Sequence, residues 1–152
     1  MYLCLIEVQK LPYKVSHGKA VQVTYSSDEV FSRIKHEGIQ FIDLQFTGLT
    51  GHFHHTTISA DTFTPDQMKD GLPKLDGSSI IGFTSIQDSD LLLKPDPNTF
   101  AIIPWLTENK TARLLCDVYW GGNRGRLESD PRGISQKAEE YIKTQGFDFS
   151  TW

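Results

Sequence analysis

Ile39-Gln-Phe-Ile-Asp-Leu-Gln-Phe46, Thr47-Gly-Leu-Thr-Gly51 and His52-Phe-His-His-Thr-Thr-Ile58 follow one another without a break, and their order decides the fold. The first run is rich in strand formers, with Ile42, Leu44 and Phe46 alternating onto one face. The second supplies two glycines for a turn, and the third returns as a strand, so the stretch predicts a hairpin with a glycine-containing loop. Just upstream, Ser26-Ser-Asp-Glu29 reads as a capping box, in which the Ser26 hydroxyl takes an orphan backbone N–H and Glu29 reaches back to the cap. Val30, Phe31 and Ile34 follow at helical spacing, and Gly38 stands where a left-handed C-terminal residue is wanted; a helix is predicted over 27–37.

Downstream, Thr64-Pro-Asp-Gln67 places a cap before a proline at the first helical position and predicts a short helix ending before Gly71. From Leu72 to Asp96 no clean period is visible, and such a long irregular stretch reads as functional or mobile. Thr99-Phe-Ala-Ile-Ile103, stopped by Pro104, and Ala112-Arg-Leu-Leu-Cys-Asp-Val118 read as strands joined through the turn Thr107-Glu-Asn-Lys110. Gly121-Gly-Asn-Arg-Gly125 reads as a flexible link, and Asp130-Pro131 opens a helix that carries Ile134, Ala138, Tyr141 and Ile142 on one face before Gly146. Residues 1–25 alternate weakly around Pro12 and Gly18 and fit either a loose hairpin or an unstructured lead. Strands and short helices in mixed order make an α+β layer rather than a repeating βαβ array.

With 152 residues, of which 38% are hydrophobic and 22% charged, the chain can form one core, and wholesale disorder is excluded. Fifteen basic against nineteen acidic residues leave a formal charge of −4, the wrong sign for a nucleic-acid footprint. Cys4 and Cys116 lie too far apart in sequence to suggest a metal knuckle or a disulfide framework, which points to a reducing, cytoplasmic setting. No apolar run is long enough to cross a membrane, and Glu7 and Lys10 interrupt the opening stretch, so no secretory signal is expected.

Three features tempt toward chemistry. His52, His54 and His55 cluster on the return strand, the first two on one face, where Asp43 could approach; a solvated strand face is the simpler reading, and no metal site is expected. Cys116 sits among apolar strand residues and reads as a buried, inert thiol. Neither Gly121-Gly122 nor Gly77-Ser-Ser79 has the lysine or the spacing of a phosphate loop.

The segment Leu75-Asp-Gly-Ser-Ser79, followed by Gln87-Asp-Ser-Asp90 and Leu91-Leu-Leu93, is more specific. It resembles the N-terminal signature of bacterial and archaeal glutamine synthetase, the ATP-dependent glutamate–ammonia ligase of glutamine biosynthesis and nitrogen metabolism. Phe41-Ile-Asp-Leu-Gln-Phe46, Lys94-Pro-Asp96 with Thr99, Leu115-Cys-Asp117, and Asp130-Pro-Arg132 with Ser135, Lys137 and Ala138 resemble further family patterns in the same order, from about Ser26 to Gly146.

The resemblance implies a β-grasp (ubiquitin-like) mixed sheet with packed helices over 26–120, preceded by an extension over 1–25. Residues 121–152 would then be a linker and the first helix of a catalytic domain. It implies that Asp76 binds ammonium and accepts its proton in a neighbouring subunit's active site, that Ser79 lines that site, and that Gly77, Ser78, Ser89 and Asp90 complete the signature loop. The family's ATP, its magnesium or manganese and its glutamate-binding residues belong to the domain beyond that helix. No cofactor is therefore expected on this chain, nor turnover by it alone. The partners implied are its own copies or full-length synthetase subunits, with no nucleic acid and no membrane. The alternative is a freestanding β-grasp binding or regulatory module that docks on intact synthetase.

Overall fold

The computed structural model describes residues 24–147, together with the backbone of Tyr13–Ser16 and Lys19–Gln22. Those two short segments, β1 (Tyr13–Ser16) and β2 (Lys19–Gln22), pair antiparallel, the hairpin among the two readings of residues 1–25. The rest of that extension lies outside the described residues.

Helix α1 (Ser27–Glu37) begins at the expected capping box, with Glu29 N–H donating to Ser26 Oγ at 3.3 Å and Ser26 N–H to Glu29 Oε2 at 2.7 Å. It ends at Gly38, whose φ of +64° is the left-handed cap. Strands β3 (Phe41–Thr47) and β4 (Phe53–Ser59) form the expected hairpin, with Phe46 opposite His54. A capping box at Thr64 and Gln67 opens the short helix α2 (Pro65–Asp70).

Leu72 to Asp96 is where the sequence reading fails. Strands β5 (Leu72–Asp76) and β6 (Asp90–Pro95) pair antiparallel there, and only the stretch between them is irregular. The register shifts between Leu72 and Leu75, so the two buried-side leucines are out of step and no alternation shows. Pro73 is tolerated because β5 is an edge strand. The strand expected over Thr99–Ile103 shrinks to β7 (Ala101–Ile102). Asp96 turns the chain first, accepting the Asn98 N–H at 3.0 Å, and the Thr99 hydroxyl is spent on the N–H of Leu115 at 2.8 Å.

The long strand β8 (Thr111–Trp120) organises the sheet. Its first half runs parallel to β3, and its second half runs antiparallel to β6, giving the order β4-β3-β8-β6-β5, with β7 alongside the opening of β8. This is the mixed β-grasp sheet of an α+β fold. One face buries Ile42, Leu44, Leu93, Leu114 and Val118 against Val30 and Ile34 of α1 and Met68 of α2, each large side chain contributing about 1.5–3 kcal/mol. Cys116 belongs to this core, and burial, then the Asp117 charge, pushes its thiol up and out of reach of ionisation.

Helix α3 (Pro131–Thr144) is fastened to the sheet by charge. The carboxylate of Asp130, fully buried, caps the helix through the Arg132 N–H at 3.1 Å and accepts the Val118 N–H at 3.3 Å. Arg126 donates to Asp130 Oδ2 at 2.8 and 2.9 Å and to Asp117 at 2.7 Å. Arg132 bridges Asp117 and Asp96, the latter at 2.6 Å. Gly133 is bare because the Arg126 guanidinium lies against it: a Cβ there would sit 2.6 Å from Nε. Among the described residues no helix is long and apolar enough to cross a membrane.

Candidate functional site

The turn after β5 gathers the signature residues at one end of the sheet. Asp76 lies opposite Asp90 in the β5–β6 register, and the Gly77 N–H donates to the Ser89 carbonyl at 2.8 Å, closing the neck of a loop over 77–89. The Asp90 carbonyl in turn accepts the Gly121 N–H at 2.9 Å, which ties the neck to the glycine link after β8. Residues up to fourteen apart in sequence thus share one site: Asp76, Gly77, Ser78, Ser79, Ser89 and Asp90 stand at the neck or within a turn of it.

Asp76 is both a turn residue and a displayed charge. Its Oδ1 accepts the Ser78 hydroxyl at 2.7 Å and the Ser78 N–H at 3.0 Å, and Oδ2 meets the Ser79 hydroxyl at 3.5 Å. The Ser78 hydroxyl first, then its N–H, hold the carboxyl below the usual aspartate range, with Ser89 and Ser79 adding in the same direction. The group is exposed, above a shallow trough lined by Pro73, Asp90 and Gly121. Gly77 is obligatory, since a Cβ would come within 2.6 Å of Leu91 Cδ1 and closer still to the Thr84 hydroxyl.

The loop is pinned at two further points that the sequence did not disclose. Phe83 turns inward, 7% exposed, and its ring lies 6.2 Å from that of Phe46 in the core. Asp88 takes both Nη groups of Arg124, at 2.6 and 2.8 Å, and this pairing holds the Asp88 carboxyl low. In the sequence Arg124 reads only as part of a flexible link, and with 36 positions between it and Asp88 no local signal pairs them. Between the pins, Ile81 and Ile86 are 79% and 83% exposed.

The histidines divide between the two faces of the hairpin. His52 and His54 share a face, rings 4.7 Å apart, and His54 stacks on Phe46 at 5.2 Å. Asp43 does not join them. It points to the opposite face, where its Oδ1 meets His55 Nδ1 at 2.7 Å and the Thr57 hydroxyl at 2.9 Å, because Asp43, Gln45, His55 and Thr57 share that side of the β3–β4 register. Among the described residues no three His, Cys, Asp or Glu side chains gather in a way that could hold a metal ion.

Comparison with known proteins matches the same region. Residues 38–121 fit the family model described as glutamine synthetase, beta-Grasp domain. The chain is 48% identical over 119 residues to the glutamine synthetase of Sulfolobus acidocaldarius, covering 78% of this chain and 25% of that one. It is 43% identical over 122 residues to the glutamine synthetase of Aquifex aeolicus, covering 80% and 26%. A cryo-EM structure of Plasmodium falciparum glutamine synthetase superposes with a TM-score of 0.71 at 23% identity, over 82% of this chain and 24% of that one, a likeness of fold. The chain spans about a quarter of the length of these relatives.

Proposed function

The chain belongs to the glutamine synthetase family through its β-grasp domain, and from that premise we propose that it supplies the Asp76 loop to an ammonium site completed by a neighbouring synthetase subunit. The observation that carries the reading is an ionised carboxylate, held by Ser78 and exposed at the sheet's end. Ammonium, the dominant species near neutral pH, is a cation without a lone pair. A carboxylate attracts it, and burial of that carboxylate against a second surface raises its proton affinity, so that it can take a proton and leave ammonia as the nucleophile for ligation. In the isolated chain Asp76 is wet and its pKa is lowered, which makes it an attractor but a weak base. The second half of that chemistry needs the neighbour. Ser79 would line the same site.

On this reading residues 26–120 are the β-grasp unit and α3 begins the next. The purified chain, given glutamate, ammonium, ATP and magnesium, is expected to form no glutamine and, with hydroxylamine, no γ-glutamyl hydroxamate. Turnover above a buffer control that disappears in Asp76→Asn would overturn the in-trans role.

A second reading, a freestanding module that docks on intact synthetase, is favoured by α3. Ile134 and Tyr141 are 51% and 66% exposed there, and Ala138 lies open on the same helix. Leaving large apolar side chains in water forfeits about 1.5–3 kcal/mol each, so the face is expected to find cover in another copy or in a synthetase subunit. Sedimentation at rising concentration checks this: the parent is expected to associate, and Tyr141→Glu with Ile142→Lys to remain monomeric. A parent monomeric throughout, and indistinguishable from the double variant, would show that the stripe is already satisfied within the chain.

A further inference from the structure

We infer that Arg124 is a positioning residue that clamps the Asp76 loop in its presenting shape, acting through Asp88. The inference rests on the proposed in-trans role of that loop for its meaning, but its geometry stands apart. Arg124 is held on three sides: its Nε donates to the Gly121 carbonyl at 3.0 Å, its two Nη groups grip Asp88, and its guanidinium lies 4.6 Å from the centroid of the Trp120 ring. Trp120 is itself fixed, its indole N–H donating to Glu128 at 3.0 Å.

The three anchors matter because of where they stand. Gly121 donates its N–H to the Asp90 carbonyl at the neck, so the residue that Arg124 grips from one side is the residue that holds the β5–β6 end from the other. Asp88 is one residue before Ser89, whose carbonyl receives the Gly77 N–H beside Asp76. The clamp therefore fixes the returning arm of the loop next to its closing hydrogen bond. Phe83 pins the tip from the core side. Ile81, Ile86 and the Asp76 carboxylate are thus exposed on a loop held at its neck and at both pins, and a preorganised loop binds with less ordering entropy to lose. A planar, bidentate, ring-stacked arginine suits this; a lysine would keep the charge and lose the fork and most of the stacking.

The test is amide hydrogen exchange on the full chain, comparing parent, Arg124→Ala, Arg124→Lys, Asp88→Ala and the Arg124→Ala/Asp88→Ala double variant. Each alanine variant is expected to lower protection at the amides of 80–89 by about threefold to tenfold, the range for an ion pair with one cation–π contact. The double variant is expected to lose no more than Arg124→Ala alone, and lysine to recover part of the loss. Protection in 112–118 is expected to stay unchanged in all four, which separates a clamp from general destabilisation. Loop protection equal to the parent's in Arg124→Ala, additive losses in the double variant, or an equal fall in 112–118 would each overturn the inference. Because the readout needs no synthetase and no substrate, a failure here leaves the ammonium role standing, and a failure of that role leaves the clamp measurable.

Discussion

Arg126→Met is expected to remove about 3–5 kcal/mol of folding stability, the effect of breaking a buried ion pair from one side. The loss is large because of what stays behind. Asp130 is fully buried and keeps only the N–H groups of Val118 and Arg132 once the guanidinium is gone. Asp117 still has Arg132, and Arg132 still has Asp96, so neither is stranded. A chain with an ordinary stability of about 5–15 kcal/mol would lose a large part of it, seen as a fall of about 2 M in the urea midpoint. Adding Asp130→Asn should return part of the loss, since no charge is left in the interior, while the amide oxygen keeps only one of the two N–H donors that Oδ1 and Oδ2 serve in the parent. Urea unfolding of the parent, the single and the double variant decides the matter: an Arg126→Met midpoint close to the parent's, or no recovery in the double variant, would mean that Asp130 is not held by Arg126. Arg124→Ala, which breaks an exposed pair, is expected to move global stability by no more than about 1 kcal/mol.

The contrast between these two arginines marks what a sequence can disclose. Helix α1 and the β3–β4 hairpin were legible because their signals are local: Ser26 answers Glu29 three residues on, and Gly38 supplies the left-handed backbone that ends the helix. Strand β5 was not, because its register shift removes the alternation that announces a strand, and β6 is built around Leu91-Leu-Leu93, a run that shows no alternation of its own. The charge network under α3 is non-local, joining Arg132 to partners 15 and 36 positions away, so nothing near Arg132 in the chain foretells them. The loop divides in the same way. Read by itself, Asp76-Gly-Ser-Ser79 is a turn, and Asp76 does make that turn through Ser78; the proposed ammonium role rests on the family resemblance. Arg124 sits among turn residues, and only the fold brings it to Asp88.

The role proposed for Asp76 yields the largest expected effect. When residues 26–146 replace the corresponding stretch of a full-length relative such as the Sulfolobus acidocaldarius enzyme, the hybrid is expected to make glutamine, and Asp76→Asn in it to lower kcat/KM for ammonium by about 10²- to 10⁴-fold, the span for losing a positioned general base. Asparagine is a fair probe, because its amide oxygen can still accept from the Ser78 N–H and hydroxyl, so the turn keeps its shape while the charge and the basic site are lost. The loss should fall on ammonium, with the KM for glutamate little changed, since Asp76 is proposed to meet only the cation. The sign of the pH dependence follows from the same role. The carboxylate must be free to take a proton, so the hybrid's rate falls on the acid side as Asp76 becomes protonated, and Asp76→Asn is expected to lack that limb. Its position reports the environment: exposed in this chain, the group is held below the usual range by Ser78, and drying against a neighbouring subunit pushes it upward. An acid limb above the ordinary aspartate pKa would therefore show that the loop is buried in the working site. An Asp76→Asn hybrid that keeps its kcat/KM for ammonium, or keeps the acid limb, would remove Asp76 from the chemistry and leave it the turn residue that its hydrogen bonds already make it.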